Sequence, residues 1–218
     1  DARSVTFEPN SELRTIEQFA FSCSNLTSIS IPASVVELKD GWCNGTDKLS
    51  QIEVEAGNCR YLSVGKEFII GKSDIAQEDY DTLVFWVRDT LEANIPPTIK
   101  IIGPYAFAGS LIVSIVIPSL FTKICERAFY ECEQLFQIEF EPNSELRSIE
   151  KEVFFFGKLT SLLIPCSVTH ISDDAFSLCE GLKIVEIEEN SVDEGISMST
   201  FRSEIIMLPV KKRSFSKE

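Results

Sequence analysis

The stretch Phe7-Glu-Pro-Asn-Ser-Glu-Leu-Arg-Thr-Ile-Glu17 returns later in the chain as Phe140-Glu-Pro-Asn-Ser-Glu-Leu-Arg-Ser-Ile-Glu150, with Ser for Thr as its single change. A second phrase, Leu26-Thr-Ser-Ile-Ser-Ile-Pro32, has a close copy in Leu159-Thr-Ser-Leu-Leu-Ile-Pro165. A third phrase, Arg127-Ala-Phe-Tyr-Glu-Cys132, is matched by Asp174-Ala-Phe-Ser-Leu-Cys179. Internal repetition of this kind indicates an array of similar structural units.

The spacing of the repeats is regular apart from one wide gap. Successive copies begin at Leu26, Leu49, Ile112, Leu135, Leu159 and Leu182. All but one of these steps are nearly equal, and the period lies within the range of ~20–29 residues that leucine-rich repeats use. The wide step, from Leu49 to Ile112, can be explained in two ways. It is either two periods with additional residues or one period with an insertion of roughly 40 residues.

Each repeat contains a short strand with one buried side. In Leu26-Thr-Ser-Ile-Ser-Ile, apolar residues alternate with serines, which predicts a strand whose apolar side chains point into a core. Pro32 then ends the strand because proline has no N–H for the ladder. The same reading gives seven strands, at Val5–Phe7, Ile29–Ile31, Ile52–Val54, Ile115–Ile117, Ile138–Phe140, Leu162–Ile164 and Val185–Ile187.

These strands predict one solenoid domain of seven coils over residues 1–194, with a C-terminal cap and basic tail over 195–218. An insertion near residues 56–94 contains the apolar runs Phe68-Ile-Ile70 and Leu83-Val-Phe-Trp-Val87, separated by turn residues, which favours a β-hairpin. The predicted fold is therefore a β-rich repeat solenoid of the α/β type. Its coil is right-handed, with a parallel sheet on the concave face and one inserted hairpin.

The charge and hydropathy of the chain exclude two classes of function. Acidic residues outnumber basic ones by 34 to 20, for a net charge of −14, which disfavours a nucleic-acid binder because phosphates attract positive fields. The most apolar stretch, residues 111–121, is well short of the ~20 residues that span a bilayer. We expect no nucleic-acid partner and no membrane insertion of this segment.

The sequence contains few residues that suit catalysis. His170 is the single histidine, and it lies between the inward-facing apolar positions Val168 and Ile171, which favours a polar surface residue over a catalytic base. An enzymatic function would have to depend on His170. We expect no enzyme activity, no cofactor and no metal site, because no Cys-x-x-Cys pair accompanies the lone histidine.

The seven cysteines are predicted to be free thiols. Cys23, Cys132 and Cys179 share one repeat position, which is typical of small buried residues, and disulfides between coils are the alternative. Two triplets, at Asn25 and Asn44, match the N-glycosylation acceptor pattern. Asn25 belongs to the turn of its repeat, whereas Asn44 lies in a Gly-containing loop and is the better candidate acceptor.

The outward side of the predicted sheet is the candidate binding surface. In the C-terminal half of the sheet, the residues between the inward pairs alternate apolar and acidic side chains, which suits a basic protein partner. The alternative is that Val, Leu and Ile are present because they suit strands. The predicted partner-binding residues are Glu53, Val116, Glu139, Leu163, Ile184 and Glu186.

The chain resembles the BspA-type leucine-rich repeat family, also called the Treponema pallidum type. The resemblance rests on the Leu-x-x-Ile-x-Ile-Pro phrases and on the full copies at Ile124–Leu135 and Ile171–Leu182, and it spans roughly residues 5–190. It implies a non-enzymatic module at the cell surface or secreted, which adheres to proteins of a host or of neighbouring cells, including extracellular matrix proteins. The family offers no catalytic residues to transfer. The alternative is a cytoplasmic scaffold for protein–protein interaction, which the thiol-rich composition favours.

Overall fold

The computed structural model describes residues 3–188 and 206–210 of the chain. Within these residues the regular structure consists of short β-strands. In chain order the strands are β1 (Ser4–Val5), β2 (Thr15–Ile16), β3 (Ser28–Ile31), β4 (Glu37–Leu38), β5 (Gln51–Val54), β6 (Tyr61–Val64), β7 (Phe68–Gly71), β8 (Thr82–Trp86), β9 (Ile101–Ile102), β10 (Ser114–Ile117), β11 (Lys123–Ile124), β12 (Gln137–Phe140), β13 (Ser148–Ile149), β14 (Ser161–Ile164), β15 (His170–Ile171), β16 (Ile184–Glu188) and β17 (Ile206–Val210).

One side of the solenoid is the long-strand ladder, by which we mean β1, β3, β5, β10, β12, β14, β16 and β17. Its hydrogen-bonded sheets are β1-β3-β5, β10-β12 and β14-β16-β17, all parallel. The coil that follows the insertion contributes an isolated bridge, Glu92 to Ser114, in place of a strand. Alternation of inward apolar and outward residues explains the strands, and in β3, β10 and β14 a proline directly follows. In β10, Ile115 and Ile117 are buried while Val116 is half exposed, and Pro118 follows directly.

Two further sides complete each coil. One of them is the short-strand ladder, by which we mean the two-residue strands β2, β4, β9, β11, β13 and β15. Neighbouring strands of this ladder, such as β11 and β13, pair in parallel. The third side has no strands but is joined by backbone hydrogen bonds from coil to coil, as from Phe107 N to Ala128 O (2.8 Å) and from Phe129 N to Val153 O (3.0 Å). The result is a β-solenoid of about eight turns. The α/β character predicted from the sequence is wrong for the described residues, which contain no helix, because the segments between the strands are turns.

The insertion extends the short-strand ladder. Instead of one hairpin, it forms three strands, with β6 antiparallel to β7 and β7 antiparallel to β8, and β8 then pairs in parallel with β9. The meander is therefore part of a seven-stranded sheet. Arg88 ends the insertion inside the core, where its Nη1 donates to Ala106 O at 3.1 Å and its guanidinium lies 4.4 Å from the Phe85 ring centre.

A column of stacked rings fills the core beneath the third side. Phe107, Phe129, Phe154 and Phe176 contribute one ring per coil, with centroids 5.0–5.5 Å apart. The insertion adds the first rings of the column, since Trp86 stacks on Phe107 at 5.5 Å. Residues 153–157 lack the Ala and Cys of the other coils, yet Phe154 stacks on Phe129 and Phe176 like the other rings.

The solenoid pattern continues into the segment that the sequence assigns to a cap. Strand β17 pairs in parallel with β16, in the register Ile184↔Ile206 and Glu186↔Leu208. The predicted boundary at residues 194 and 195 and the basic tail from 211 onward lie outside the described residues. The division into solenoid and cap stays a prediction.

Candidate functional site

The six residues of the predicted binding surface all lie on the long-strand ladder, with exposed or half-buried side chains. Strand pairing places Val116 opposite Glu139 and Leu163 opposite Glu186. Val116 is 50% exposed and Ile184 is 38% exposed, while Leu163 and Glu186 are half-buried. The outward register read from the sequence therefore agrees with the burial pattern, and the binding role of these residues stays a prediction.

The insertion separates Glu53 from the other five residues. Glu53 lies on β5, before the insertion, and Lys66 of the insertion places its Nζ 3.5 Å from Glu53 Oε1. Glu139 instead accepts a hydrogen bond from the neutral amide of Gln137, whose Nε2 is 2.7 Å from Glu139 Oε1. The carboxylate better suited to a basic partner is therefore that of Glu139 rather than that of Glu53.

An apolar patch occupies the C-terminal end of the long-strand ladder. Ile206 and Leu208 of β17 are 58% and 42% exposed, and their paired neighbours on β16 are Ile184 and Glu186. Together with Leu163, these side chains surround the half-buried carboxylate of Glu186. The sequence prediction omits Ile206 and Leu208 because it assigns their segment to a cap. Their signal is the spacing, since the apolar run that contains them begins one repeat period after Leu182.

A cleft opens on the same face where the insertion interrupts the ladder. Its volume is about 320 Å³, and its apolar lining includes Val116, Ile95 and Pro118. Two carboxylates, Glu92 and Glu141, also line it. An apolar floor with acidic groups beside it suits a basic and partly apolar segment of a protein.

Glu141 also has a structural role that recurs along the solenoid. Its Oε2 accepts a hydrogen bond from Ser119 N at 2.9 Å, in the turn that follows the proline of the preceding coil. Glu55 and Glu188 accept equivalent bonds from the preceding coil. These three carboxylates therefore connect neighbouring coils.

The residues considered for catalysis do not form a reactive cluster. His170 is exposed on β15 between the buried Val168 and Ile171. Burial raises the pKa of the Cys43 thiol to about 12 and the pKa of the Cys132 thiol to about 11. A thiol with such a pKa stays protonated near pH 7 and is a poor nucleophile.

The described residues, which include all seven cysteines, contain no disulfide and no group of three His, Cys, Asp or Glu side chains arranged to hold a metal ion. Two of the three cysteines at the shared repeat position are buried. Cys132 donates its Sγ–H to Phe107 O at 3.1 Å and Cys179 to Phe154 O at 2.7 Å, whereas Cys23 is exposed. A structural role in the core fits the two buried positions.

The two candidate glycosylation sites differ in accessibility. Asn25 is exposed, and its Oδ1 accepts a hydrogen bond from Lys48 Nζ at 2.8 Å. Asn44 is half-buried, and the Thr46 hydroxyl of its triplet is buried and donates to Phe21 O at 2.8 Å. Surface access therefore favours Asn25 over Asn44, which is the reverse of the order expected from the loop composition.

The sequence and the fold together define a class of protein. The model of the BspA type leucine rich repeat region matches residues 2–64 and 85–206 in six copies. The chain belongs to this family of leucine-rich repeat proteins. No curated protein sequence matches it significantly.

Three solved structures are similar to the chain. The pneumococcal vaccine antigen PcpA has a TM-score of 0.75 and 23% identity, over 95% of this chain and 48% of PcpA. A leucine rich cell surface protein from Faecalibacterium prausnitzii has a TM-score of 0.62 and 26% identity, over 82% of this chain and 52% of its own. A leucine-rich repeat protein from Eubacterium ventriosum has a TM-score of 0.59 and 19% identity, over 94% and 54% of the two chains. The chain spans about half the length of these proteins.

The part of the chain that the structure describes contains no helix with the length and apolar character needed to cross a bilayer.

Proposed function

We propose that this chain is a non-enzymatic recognition module, displayed on a cell surface or secreted, that binds a basic protein through the long-strand ladder. The observation that carries the proposal is the exposed apolar patch of Ile184, Ile206 and Leu208 around Glu186. Exposed apolar groups on one face of a soluble domain are typical of interaction surfaces. The family of the chain and the F. prausnitzii cell surface protein support the location at a surface.

The chemistry of the ladder indicates the kind of partner. Val116 and the apolar patch offer anchoring positions, and Glu139 and Glu186 lie directly beside them. The net charge of −14 attracts a positively charged protein over a distance before contact. We therefore favour a partner with a basic and partly apolar surface, and extracellular matrix proteins are the class to test first.

The test reverses charge on the proposed surface and compares it with the same change elsewhere. The binding variant carries Glu139→Lys and Glu186→Lys, and the control carries Glu133→Lys and Glu180→Lys, two exposed positions in the turns that precede the long strands. Both variants change the net charge by the same amount. Binding of each protein to a panel of purified matrix proteins is measured by biolayer interferometry at two salt concentrations.

We expect the binding variant to lose affinity at least about tenfold, or roughly 1.4 kcal/mol, and the control to keep the affinity of the parent. The loss has to be larger at low salt, where charges are screened less. Equal affinities of the two variants for a matrix protein that the parent binds would remove the long-strand ladder as the binding surface.

A cytoplasmic scaffold is the second candidate function. The observation that favours it is the set of separate buried thiols at Cys43, Cys125 and Cys132, because cysteines kept as thiols are typical of reducing compartments. Treatment of intact cells with a protease that cannot enter them separates the two locations. Protection of the chain from cleavage supports the scaffold, and cleavage supports surface display.

A further inference from the structure

A second cavity lies away from the long-strand ladder, where the insertion begins. It has an inner part of about 170 Å³ between β4, β6 and β7, lined by the cations Lys39, Arg60 and Lys72 and by one carboxylate, Asp40. Three positive side chains around one cavity are unusual in a protein with a net charge of −14. The inner part is large enough for several waters or for a small charged group.

The backbone holds two of these cations opposite one another. Tyr61 pairs with Gly71 in the antiparallel β6–β7 hairpin, and Lys72 N donates to Arg60 O at 3.1 Å, so Arg60 and Lys72 are cross-strand neighbours. Like charges placed directly opposite each other on a sheet destabilise it unless an opposite charge lies between them. The pair therefore favours an anion in the cavity.

Neither cation of this pair has a carboxylate within ion-pair distance in the part of the protein that the structure describes. Lys39 forms an ion pair with Glu37 at 2.6 Å, whereas Arg60 and Lys72 form no ion pair with a described residue. Lys72 Nζ lies 5.4 Å from the ring centre of Tyr80, a contact that leaves its charge in place. Both cations are half-buried, and the Nε of Arg60 is inaccessible to solvent and has no hydrogen-bond partner among the described residues. A guanidinium holds its several N–H donors in one plane and binds planar and tetrahedral oxyanions well.

The backbone from which the Arg60 side chain projects is held by hydrogen bonds before any ligand arrives. Asn58 Oδ1 accepts hydrogen bonds from Arg60 N (2.9 Å) and Tyr61 N (2.8 Å), and its Nδ2 donates to Val35 O at 2.8 Å. The Tyr61 hydroxyl in turn accepts from Leu38 N at 3.0 Å. These bonds connect the start of the insertion to the preceding coil. A site held in this way loses little entropy on binding.

The mouth of the cavity limits the ligand to one anionic group. An outer part of about 560 Å³ shares Lys39 and Arg60 with the inner part, and it adds the carboxylates Glu17 and Glu37 and the amide of Gln18. The Glu37 carboxylate is ion-paired with Lys39. The charges that repel a second anionic group are therefore those of Glu17 and of Asp40, which lines both parts. Carboxylates also accept hydrogen bonds from hydroxyl or ammonium groups.

We propose that this cavity binds the single oxyanion group of a small polar ligand, with Arg60 and Lys72 contacting the oxyanion and the outer carboxylates contacting its hydroxyl-bearing body. A carboxylated monosaccharide and a free small anion such as sulfate share this chemistry. Polyanions are excluded by the carboxylates at the mouth. The site is separate from the long-strand ladder and does not depend on protein binding there.

The test uses ¹⁵N-labelled protein and follows the side-chain Nε–H signal of Arg60, assigned by its absence in Arg60→Gln. Glucuronate, acetate and sulfate are titrated at constant ionic strength, with glucose as the uncharged control and heparin as the polyanion. The site variant carries Arg60→Gln and Lys72→Gln, and its backbone amide signals near the cavity are followed. The matched control, Lys158→Gln with Lys183→Gln, removes the same charge from exposed positions outside the cavity.

We expect glucuronate to cause a saturable chemical-shift change in the parent and in the control variant, and to bind the site variant at least tenfold more weakly. Glucose and heparin should cause no saturable change. Equal binding of acetate or sulfate assigns the site to free anions, and stronger binding of glucuronate assigns it to the sugar acid. No saturable shift in the parent, or an equal affinity in the site variant, would overturn the proposal. Each variant has to retain a cooperative thermal transition. If the double variant Arg60→Gln with Lys72→Gln loses that transition, the single variant Lys72→Gln is used in its place.

Discussion

Removal of one ring from the aromatic column is expected to destabilise the solenoid strongly. Phe129 is fully buried, and its ring is 5.0 Å from that of Phe107, at an interplanar angle of 3°, and 5.5 Å from that of Phe154. Phe129→Ala leaves a cavity between two coils, for which the typical cost is about 3–5 kcal/mol. Each lost ring pair adds about 0.5–1.5 kcal/mol to simple burial, so we expect a loss near the upper end, about 4–5 kcal/mol.

The free energy of unfolding is measured by urea denaturation with tryptophan fluorescence, because Trp42 and Trp86 are both buried and report on two parts of the core. Phe136→Ala is the matched control. Phe136 is 49% exposed, so its truncation should cost no more than about 1 kcal/mol. A loss for Phe129→Ala that equals the loss for the control would refute the stacked column as the main core of the solenoid.

Two further predictions concern titratable groups. Cys23 and Cys59 are exposed and should react with Ellman's reagent at pH 8 in the native protein, whereas the buried Cys43 should react only after unfolding. Rapid modification of Cys43 in the native protein, detected by peptide mass, would contradict its burial. Burial acts to raise the pKa of Asp81, but hydrogen bonds from Ser73 outweigh it and hold that pKa below its ordinary value. The carboxylate therefore adds stability above about pH 4 that is lost as the pH falls through the folded pKa, so Asp81→Asn should lower the melting temperature at pH 7 and have a smaller effect below pH 4. An effect of Asp81→Asn that does not change with pH would contradict the role of the charge.

The sequence predicts the long-strand ladder well because the repeated phrase contains its physical cause. Alternation places Ile115 and Ile117 in the core and Val116 outside it, and Pro118 ends the strand. Seven of the eight strands follow from this pattern alone. The strand β17 is missed because its phrase has lost the Ala-Phe and Cys positions that mark the other coils, although the spacing of the repeat is kept.

The path of the insertion is not encoded in the period of the repeats. Its apolar runs indicate strands, but the choice between a projecting hairpin and a meander that joins the short-strand ladder depends on contacts distant in sequence. The pairing of Leu83 with Ile102 is one such contact. The cavity at Arg60 and Lys72 is hidden from the sequence for the same reason, because these residues become neighbours only when the hairpin forms.

The role of the insertion in the ring column has a consequence for how such a protein can change over time. Phe68 stacks on Trp86 at 4.7 Å, and Trp86 stacks on the first ring of the regular coils, so the inward side of the insertion is part of the core of the solenoid. The tip of the connection between β7 and β8, residues 74–79, is mostly exposed and has no part in that column. Substitutions and length changes there should leave stability nearly unaltered. A repeat protein that keeps its architecture constant can in this way acquire new ligand preferences at the one place where its periodicity is interrupted.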